Sequence, residues 1–152
     1  MDLHLQKAQI QDIPVLNKIS LASKSYWNYP KEWIDHWKEG LALTEKDFVE
    51  LAIYKLILGD IILGFCAMNE FDKHYEIEHL WIDPKYIGKG YGKYLLNAAI
   101  EHVVVKQKDI ILDADPNAVP FYNSQGFVTI GQKESYPKGR FLPIMKKATN
   151  EK

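Results

Sequence analysis

The sequence predicts a mixed α/β fold, and three observations carry that expectation. Two apolar runs, residues 49–58 and 61–69, flank Gly59-Asp60, as the arms of a β-hairpin flank their turn. Residues 75–126 then read as strand, helix, strand and helix in turn. Two further strand-like runs, 127–134 and 141–147, close the chain. Strand runs on either side of a strand–helix–strand–helix centre specify one sheet with helices packed against it.

Each element has a local reason. Leu3 and Leu5 open a short strand that fades toward Ile10. Asp12 is placed to cap a first helix with Pro14 in its first turn, and Val15, Ile19 and Ala22, backed by Leu16, give it a stripe ending near Ser23. Tyr26, Trp27 and Tyr29 follow on a loop. Pro30 opens a second helix carrying Trp33 and Trp37, which read as core, and Gly40 is its expected stop. Thr44 to Asp47 cap one short further turn. In residues 75–82 a period of two puts Glu76, Glu78 and Leu80 on one face, with Ile77, His79 and Trp81 on the other. A helix over 90–106 has an apolar stripe of Leu96, Ala99, Ile100 and Val103, opposite Lys93, Asn97 and Glu101. Residues 109–114 form a short buried strand. Asn117 is placed to cap a brief helix that Gly126 ends, and Pro143 marks the last strand as an edge or a bulge.

Composition narrows the function classes. The chain has 152 residues, the size of one domain, with a polar tail from about residue 148. Lys and Arg number 19 against 20 Asp and Glu, a net charge of −1, which argues against a nucleic-acid binder that relies on bulk positive charge. One cysteine, Cys66, excludes an internal disulfide and a multi-cysteine zinc site, and reads as a packed small hydrophobe. It fits a reducing cytoplasm. The polar start is unlike a signal peptide, and no apolar run approaches the ~20 residues of a membrane span. The expectation is a cytoplasmic domain without metal, membrane or nucleic-acid partner.

The most informative segment is Pro84-Lys85-Tyr86-Ile87-Gly88-Lys89-Gly90-Tyr91-Gly92-Lys93, between a strand and an amphipathic helix. Its three glycines remove Cβ atoms where backbone amides converge, and the helix start adds unpaired N–H groups and a positive dipole end. Lys85, Lys89 and Lys93 surround the same turn. This chemistry suits a pyrophosphate. A P-loop fails by spacing, since Tyr94 stands where its magnesium-binding hydroxyl belongs. A dinucleotide fingerprint counted from Gly88 needs glycine at position 93, which is Lys93. Spacing alone goes no further.

Leu80-Trp81-Ile82-Asp83-Pro84 followed by Gly88-Lys89-Gly90-Tyr91-Gly92 resembles the acyl-CoA pyrophosphate loop of the GNAT superfamily of N-acyltransferases. Asp115-Pro116-Asn117-Ala118 leading into Phe121-Tyr122 and Gly126-Phe127 resembles that family's second signature. Ile87 departs from it, standing where Gln or Arg is usual. The resemblance implies a mostly antiparallel sheet of about seven strands with about four helices, splayed between its fourth and fifth strands. It also implies acetyl-CoA as co-substrate, held by Leu80, Trp81, Ile82, Ile87, Gly88, Lys89, Gly90, Tyr91, Gly92, Lys93, Asn117 and Tyr122. Tyr122 is the implied proton donor to the leaving thiolate, with Glu78 or Glu76 as base and His79 structural. Tyr26, Trp27 and Tyr29 lie where the acceptor side is built, and their faces suit a cationic amine or a planar group. The implied acceptor is a small primary amine, with a protein or peptide amine, or acyl-CoA sensing without catalysis, as alternatives. Paired C-terminal strands leave a homodimer open.

Overall fold

The structure, a computed structural model, describes residues 2–149. Seven strands, β1 (Leu3–Lys7), β2 (Ala52–Leu58), β3 (Ile61–Glu70), β4 (His74–Ile82), β5 (Asp109–Asp113), β6 (Val128–Glu134) and β7 (Phe141–Lys147), form one sheet in the order β1-β2-β3-β4-β5-β7-β6. Five helices accompany it: α1 (Ile13–Ser25), α2 (Lys31–Leu41), α3 (Asp47–Glu50), α4 (Tyr91–Val103) and α5 (Val119–Ser124). Every neighbouring pair of strands is antiparallel except β4 and β5. That pair keeps parallel register only from His74↔Asp109 to Glu76↔Ile111, and then parts. Residues 150–152 of the expected polar tail lie outside the described residues. No helix among them is long and apolar enough to cross a membrane.

Strand alternation gives the sheet two apolar faces. Cys66, Met68, Tyr75 and Ile77 pack with Leu95, Leu96 and Ala99 of α4 and with Tyr122 and Phe127. Phe65 and Ala67 pack with Leu16 and Ile19 of α1 and with Leu43 and Ile53. Both faces being covered, the middle of β3 is buried throughout, and this produces the unbroken apolar run seen in its sequence. Cys66 sits there sealed from solvent, and burial pushes its thiol up to about 12, so it is inert packing.

Several expectations change at the level of side-chain phase. α1 continues to Ser25, and its inner face runs Leu16, Ile19, Ser20, Lys24, leaving Val15 and Ala22 exposed. The helix turns a polar edge inward because partners await it there: the Ser20 hydroxyl donates to the Leu41 carbonyl at 3.0 Å. Asp12 does not cap α1 with its side chain. It closes a 3₁₀ turn by accepting from the Gln9 amide and receives the Lys55 ammonium, both at 2.8 Å. Gly40 lies within α2, and residues 49–50 belong to α3. Asp115, not Asn117, caps the turn before α5, its carboxylate accepting from the Asn117 amide at 2.9 Å. Pro143 is in neither an edge strand nor a bulge: β7 lies between β5 and β6, and the bulge is in β6. The proline is tolerated because its carbonyl accepts from the Ala114 amide just past the end of β5, where no N–H is required of it. Trp33 and Trp37 join neither core cluster and pack with Tyr29 instead.

The change that matters most is in β4. The ladder with β3 shifts between Ala67↔His79 and Met68↔Ile77, so Glu78 is an extra, unpaired residue. Beyond it the alternation is offset by one. Ile77 joins Leu80 and Ile82 on the α4 face, while Trp81 and the His79 ring lie toward Phe65, so Glu76, Glu78 and Leu80 do not share a face.

Close approach of β3 to β4 has a checkable consequence at Gly64. A Cβ there would overlap the Trp81 carbonyl oxygen and meet the Ile82 backbone at 3.1 Å, neither of which can swing aside. Gly64→Ala is expected to cost at least the roughly 1–3 kcal/mol typical of overpacking. Urea unfolding monitored by circular dichroism measures it; a midpoint equal to that of the parent protein would contradict this packing.

Candidate active site

The turn after β4 is built to present amides. Asp83 accepts from the Lys85 amide at 3.1 Å and caps a 3₁₀ turn, and the chain then reaches Gly88 and Gly90 at φ of 86° and 83°. Side chains rarely adopt that left-handed region, so glycine is required at both positions. Their Cβ positions face open space, with no atom within 4 Å. Among the described residues, the N–H groups of Gly88, Lys89, Gly90, Tyr91, Gly92 and Lys93 have no acceptor; the next, Tyr94, bonds to the Gly90 carbonyl at 3.1 Å. A row of free donors at the positive end of the 13-residue α4 is an anion cradle. It opens on a cavity of about 340 Å³ lined by Ile82, Ile87, Gly88, Gly90, Tyr91, Gly92 and Lys93, with Phe121 and Gln125 opposite. Lys89 is exposed on the same turn without lining the cavity. The residues present fit a diphosphate.

A second, smaller cavity of about 90 Å³ fills the gap where β4 and β5 part, lined by Glu78, Leu80, Trp81, Asp113, Asp115 and Tyr122 among others. Tyr122 is only 8% exposed and is wedged between Phe121 and Phe127, with ring centroids at 5.2 and 5.6 Å. Its hydroxyl has no hydrogen-bond partner among the described residues, and burial pushes its pKa well above that of a free phenol. The phenol is therefore fully protonated and free to donate. At the mouth stands Glu78. Partial enclosure, then the charge of Glu76 and a hydrogen bond to it, raise its carboxyl above the usual range. Glu76 does not line this gap; it sits on the last β4–β5 rung, held by His74 at 3.0 Å. The His79 Nδ1 accepts from the Trp81 indole at 3.0 Å and burial lowers its pKa, which leaves a neutral imidazole with that nitrogen occupied.

Next to the gap is a polar cluster that the sequence did not announce. The Lys24 ammonium contacts the Asp115 carboxylate at 2.5 Å, and Arg140 lies 3.7 Å from the same group. The Tyr29 hydroxyl donates to Asp115 at 2.9 Å and accepts from Asn117 Nδ2 at 3.0 Å and from Arg140 at 3.1 Å. Lys24 and Arg140 also lie over the Trp37 ring, each 4.6 Å from its centroid, and over the Tyr29 ring at 5.2 and 5.1 Å. Burial works against the Asp115 carboxylate, but the bonds from Lys24, the Asn117 amide and Tyr29 hold it below the ordinary range. For Lys24, burial outweighs the attraction of Asp115, and the repulsion of Arg140 adds to the lowering.

Most of the residues marked in the sequence are thus brought together: the glycine turn, Leu80 to Ile82, Glu78 and Tyr122. Asn117 is near but is spent on Tyr29. The Tyr29 ring does not await a cationic amine, because the protein's own cations already cover it. Tyr26 and Trp27 stay exposed, edge to face at 5.0 Å, outside the cluster. Lys24 and Arg140 were missed. The signal for Lys24 was its place on the face of Leu16 and Ser20, one turn beyond the serine; for Arg140, in a hairpin loop closed by Ser135 and Pro137, no local signal exists.

The sheet parts between β4 and β5, with a row of free amides at one end of β4 and a protonated, unpaired phenol in the gap. The chain belongs to the acetyltransferase (GNAT) domain family, whose model matches residues 34–148. It is 29% identical over 106 residues to the uncharacterized N-acetyltransferase YafP of Escherichia coli strain K12, a stretch that is 70% of this chain and 61% of that protein. Its fold is similar to the PaiA N-acetyltransferase of Thermoplasma acidophilum in complex with coenzyme A, at 21% identity and a TM-score of 0.78, over 98% of this chain and 100% of that one. It is also similar to YncA, a putative acetyltransferase from Salmonella typhimurium solved with its cofactor acetyl-CoA, at 16% identity and a TM-score of 0.69, over 100% and 96% of the two chains.

Asp115→Asn leaves two enclosed cations without their carboxylate. We expect a loss of roughly 2 kcal/mol, less than the ~3–5 of a fully buried pair because part of the group reaches water. Since Asp115 titrates lower folded than unfolded, its stabilisation is complete above the unfolded pKa of about 3.9 and disappears as pH falls through the lower folded value. Denaturant unfolding at neutral and strongly acidic pH checks both points: the parent and variant should differ at pH 7 and converge in acid.

Proposed function

We propose that this protein transfers an acetyl group from acetyl-CoA to the primary amine of a small molecule, by direct attack within a ternary complex. One observation carries the proposal: the run of unpaired amides over residues 88–93, open to a cavity of diphosphate size. Acetyl-CoA is then laid with its diphosphate on that cradle and its thioester in the gap between β4 and β5. The cleft of about 90 Å³ favours an amine on a slender arm over a bulky acceptor.

Three tasks fall to named groups. An alkylammonium, with a pKa near ~10.4, must lose a proton before it can attack, and Glu78 takes it directly or through one water. Its raised pKa makes it a stronger base than an ordinary carboxylate. As the nitrogen bonds to the thioester carbon, charge grows on the carbonyl oxygen; beyond Glu76↔Ile111, β4 has no partner toward β5, and a main-chain N–H at Leu80 or Trp81 supplies the stabilising donor. The C–S bond then breaks, and Tyr122 gives its proton to the departing thiolate. The nitrogen, which still carries one proton more than an amide, gives it back to the Tyr122 phenolate through water, Glu78 releases the first proton to solvent, and the acetylated amine and free CoA leave. A cytoplasmic setting suits this use of CoA.

The test is release of CoA thiol on addition of amines. Transfer to a small amine supports the proposal; a panel of amines and peptides that releases none, with a protein that fails to bind CoA, defeats it. Transfer to peptides alone would move the acceptor to a protein amine, and CoA binding without any transfer would make the protein a sensor. Tyr122→Phe should lower kcat by about 10²-fold while leaving CoA affinity nearly intact, as stopped-flow and equilibrium titration would read.

The acid limb of kcat/KM against pH provides an independent check. Glu78 must be ionised to act, so the rate rises with pH through its pKa, which lies above the ~4.3 of a free glutamate. In Glu78→Gln that limb should vanish and the plateau fall by about 10²-fold or more; an unchanged profile would remove Glu78 from the mechanism.

A further inference from the structure

A cavity of about 330 Å³ lies under α2, lined by Lys24, His36, Trp37, Gly40, Leu41, Ser135, Arg140 and Leu142, and the groups on its wall do not balance one another. Lys24 and Arg140 bring two positive charges, with side chains only 10% and 13% exposed. Among the described residues, the sole carboxylate paired with either is Asp115. One positive charge is left without a counter-ion, in surroundings where an unpaired charge is costly. The guanidinium is also under-used: its closest bonds are to the Tyr29 hydroxyl and, at 3.4 Å, to the Ser135 hydroxyl. Trp37, on the same wall, has a buried indole N–H with no hydrogen-bond partner among the described residues. A cation in excess, a planar donor fork and an unsatisfied N–H around one cavity are together the complement of a single anionic group.

We propose that this cavity is an anion subsite of the acceptor side, held by Lys24, Arg140 and Trp37, and that the amine acetylated here carries a carboxylate. The proposal rests on the acetyl-transfer reading above and specifies its substrate class. Asp115 supplies the link between the two places: its carboxylate lines the gap beside Tyr122 and also touches Lys24. Asp115 and its contact to Lys24 stand between the two places, and on this proposal the acceptor reaches from an amine at Glu78 to a carboxylate beyond Asp115. The same surplus charge repels polycationic amines, and the faces of Tyr29 and Trp37 that would otherwise attract them are already stacked by Lys24 and Arg140. A monoanion matches the surplus; a phosphate dianion exceeds it.

The experiment uses pairs that differ only in the charged group. N-acetyl amino acids and their primary amides are titrated into the full protein with CoA present, and the parent amino acids and amino-acid amides are compared as acceptors. At least one N-acetyl amino acid should bind about tenfold or more tightly than its amide, and its parent amino acid should show a similar advantage in kcat/KM. Arg140→Met should abolish both differences, and Trp37→Phe, which keeps an aromatic face for the two cations but loses the N–H together with part of the ring, should shrink them several-fold. CoA binding by each variant verifies that it is folded. Equal binding of every acid and amide, a preference for phosphorylated or polycationic amines, or a carboxylate preference that survives in Arg140→Met would each overturn the proposal. Should no amine be acetylated while the acid still outbinds the amide, the catalytic reading falls and the subsite stands.

Discussion

The structure depends on one break in a hydrogen-bond ladder. β4 and β5 run together for three rungs and then separate after Glu76↔Ile111. Parallel strands without a ladder leave main-chain donors and acceptors facing each other across a gap, a costly arrangement in a protein interior unless something polar fills it. The extra residue at Glu78 promotes the parting, because a bulge bends and twists the strand that carries it. The gap seats Tyr122, and β4 runs on through Ile82, which lines the neighbouring cavity, into the glycine turn. A single irregularity in pairing thus sets the open edge of β4 and a phenol hydroxyl on one gap, at the strand that leads into the free amides of α4.

A second layer of organisation is electrostatic. Asp115 is a helix-turn cap, the counter-ion of Lys24 and Arg140, and the acceptor for Tyr29, all at once. The cluster ties α1, the turn before α5 and the β6–β7 loop to one carboxylate, which explains why a wall without a continuous apolar core keeps its shape. The aromatic rings of Tyr29 and Trp37 shield the two cations from water and compensate part of their lost hydration. Such a cluster is costly as a device for stability alone and makes sense as a binding surface.

What could be read from the chain follows from the range of the forces involved. The glycine turn was legible because its constraint is local: a left-handed backbone at Gly88 and Gly90 and a helix start are written within a few residues. The α4 stripe of Leu96 and Ala99, the Gly59 hairpin and the seven strand runs were legible for the same reason. The bulge was not, since alternation around Glu78 looks regular until the register against Ala67 and Met68 is known. Lys24 was hidden by the rule that charged residues face water, which fails when a partner 91 positions away waits inside. Asn117 has the side chain of a cap, but Asp115, two residues earlier, fills that role because its carboxylate reaches the Asn117 amide. Function was legible where backbone chemistry carries it and obscure where tertiary pairing does.

The cluster around Tyr29 joins segments that the ribosome makes far apart in time. Tyr29 meets Asp115 across 86 residues and Arg140 across 111. Contacts so distant in sequence close late, because the loop entropy must be overcome before any of them is rewarded. The glycine turn, by contrast, is written within a dozen consecutive positions, whereas the wall around Tyr29 is incomplete until Arg140 has been made. A nascent chain halted before its last hairpin would therefore carry the whole glycine turn yet lack Arg140, leaving Lys24, Tyr29 and Trp37 without that partner.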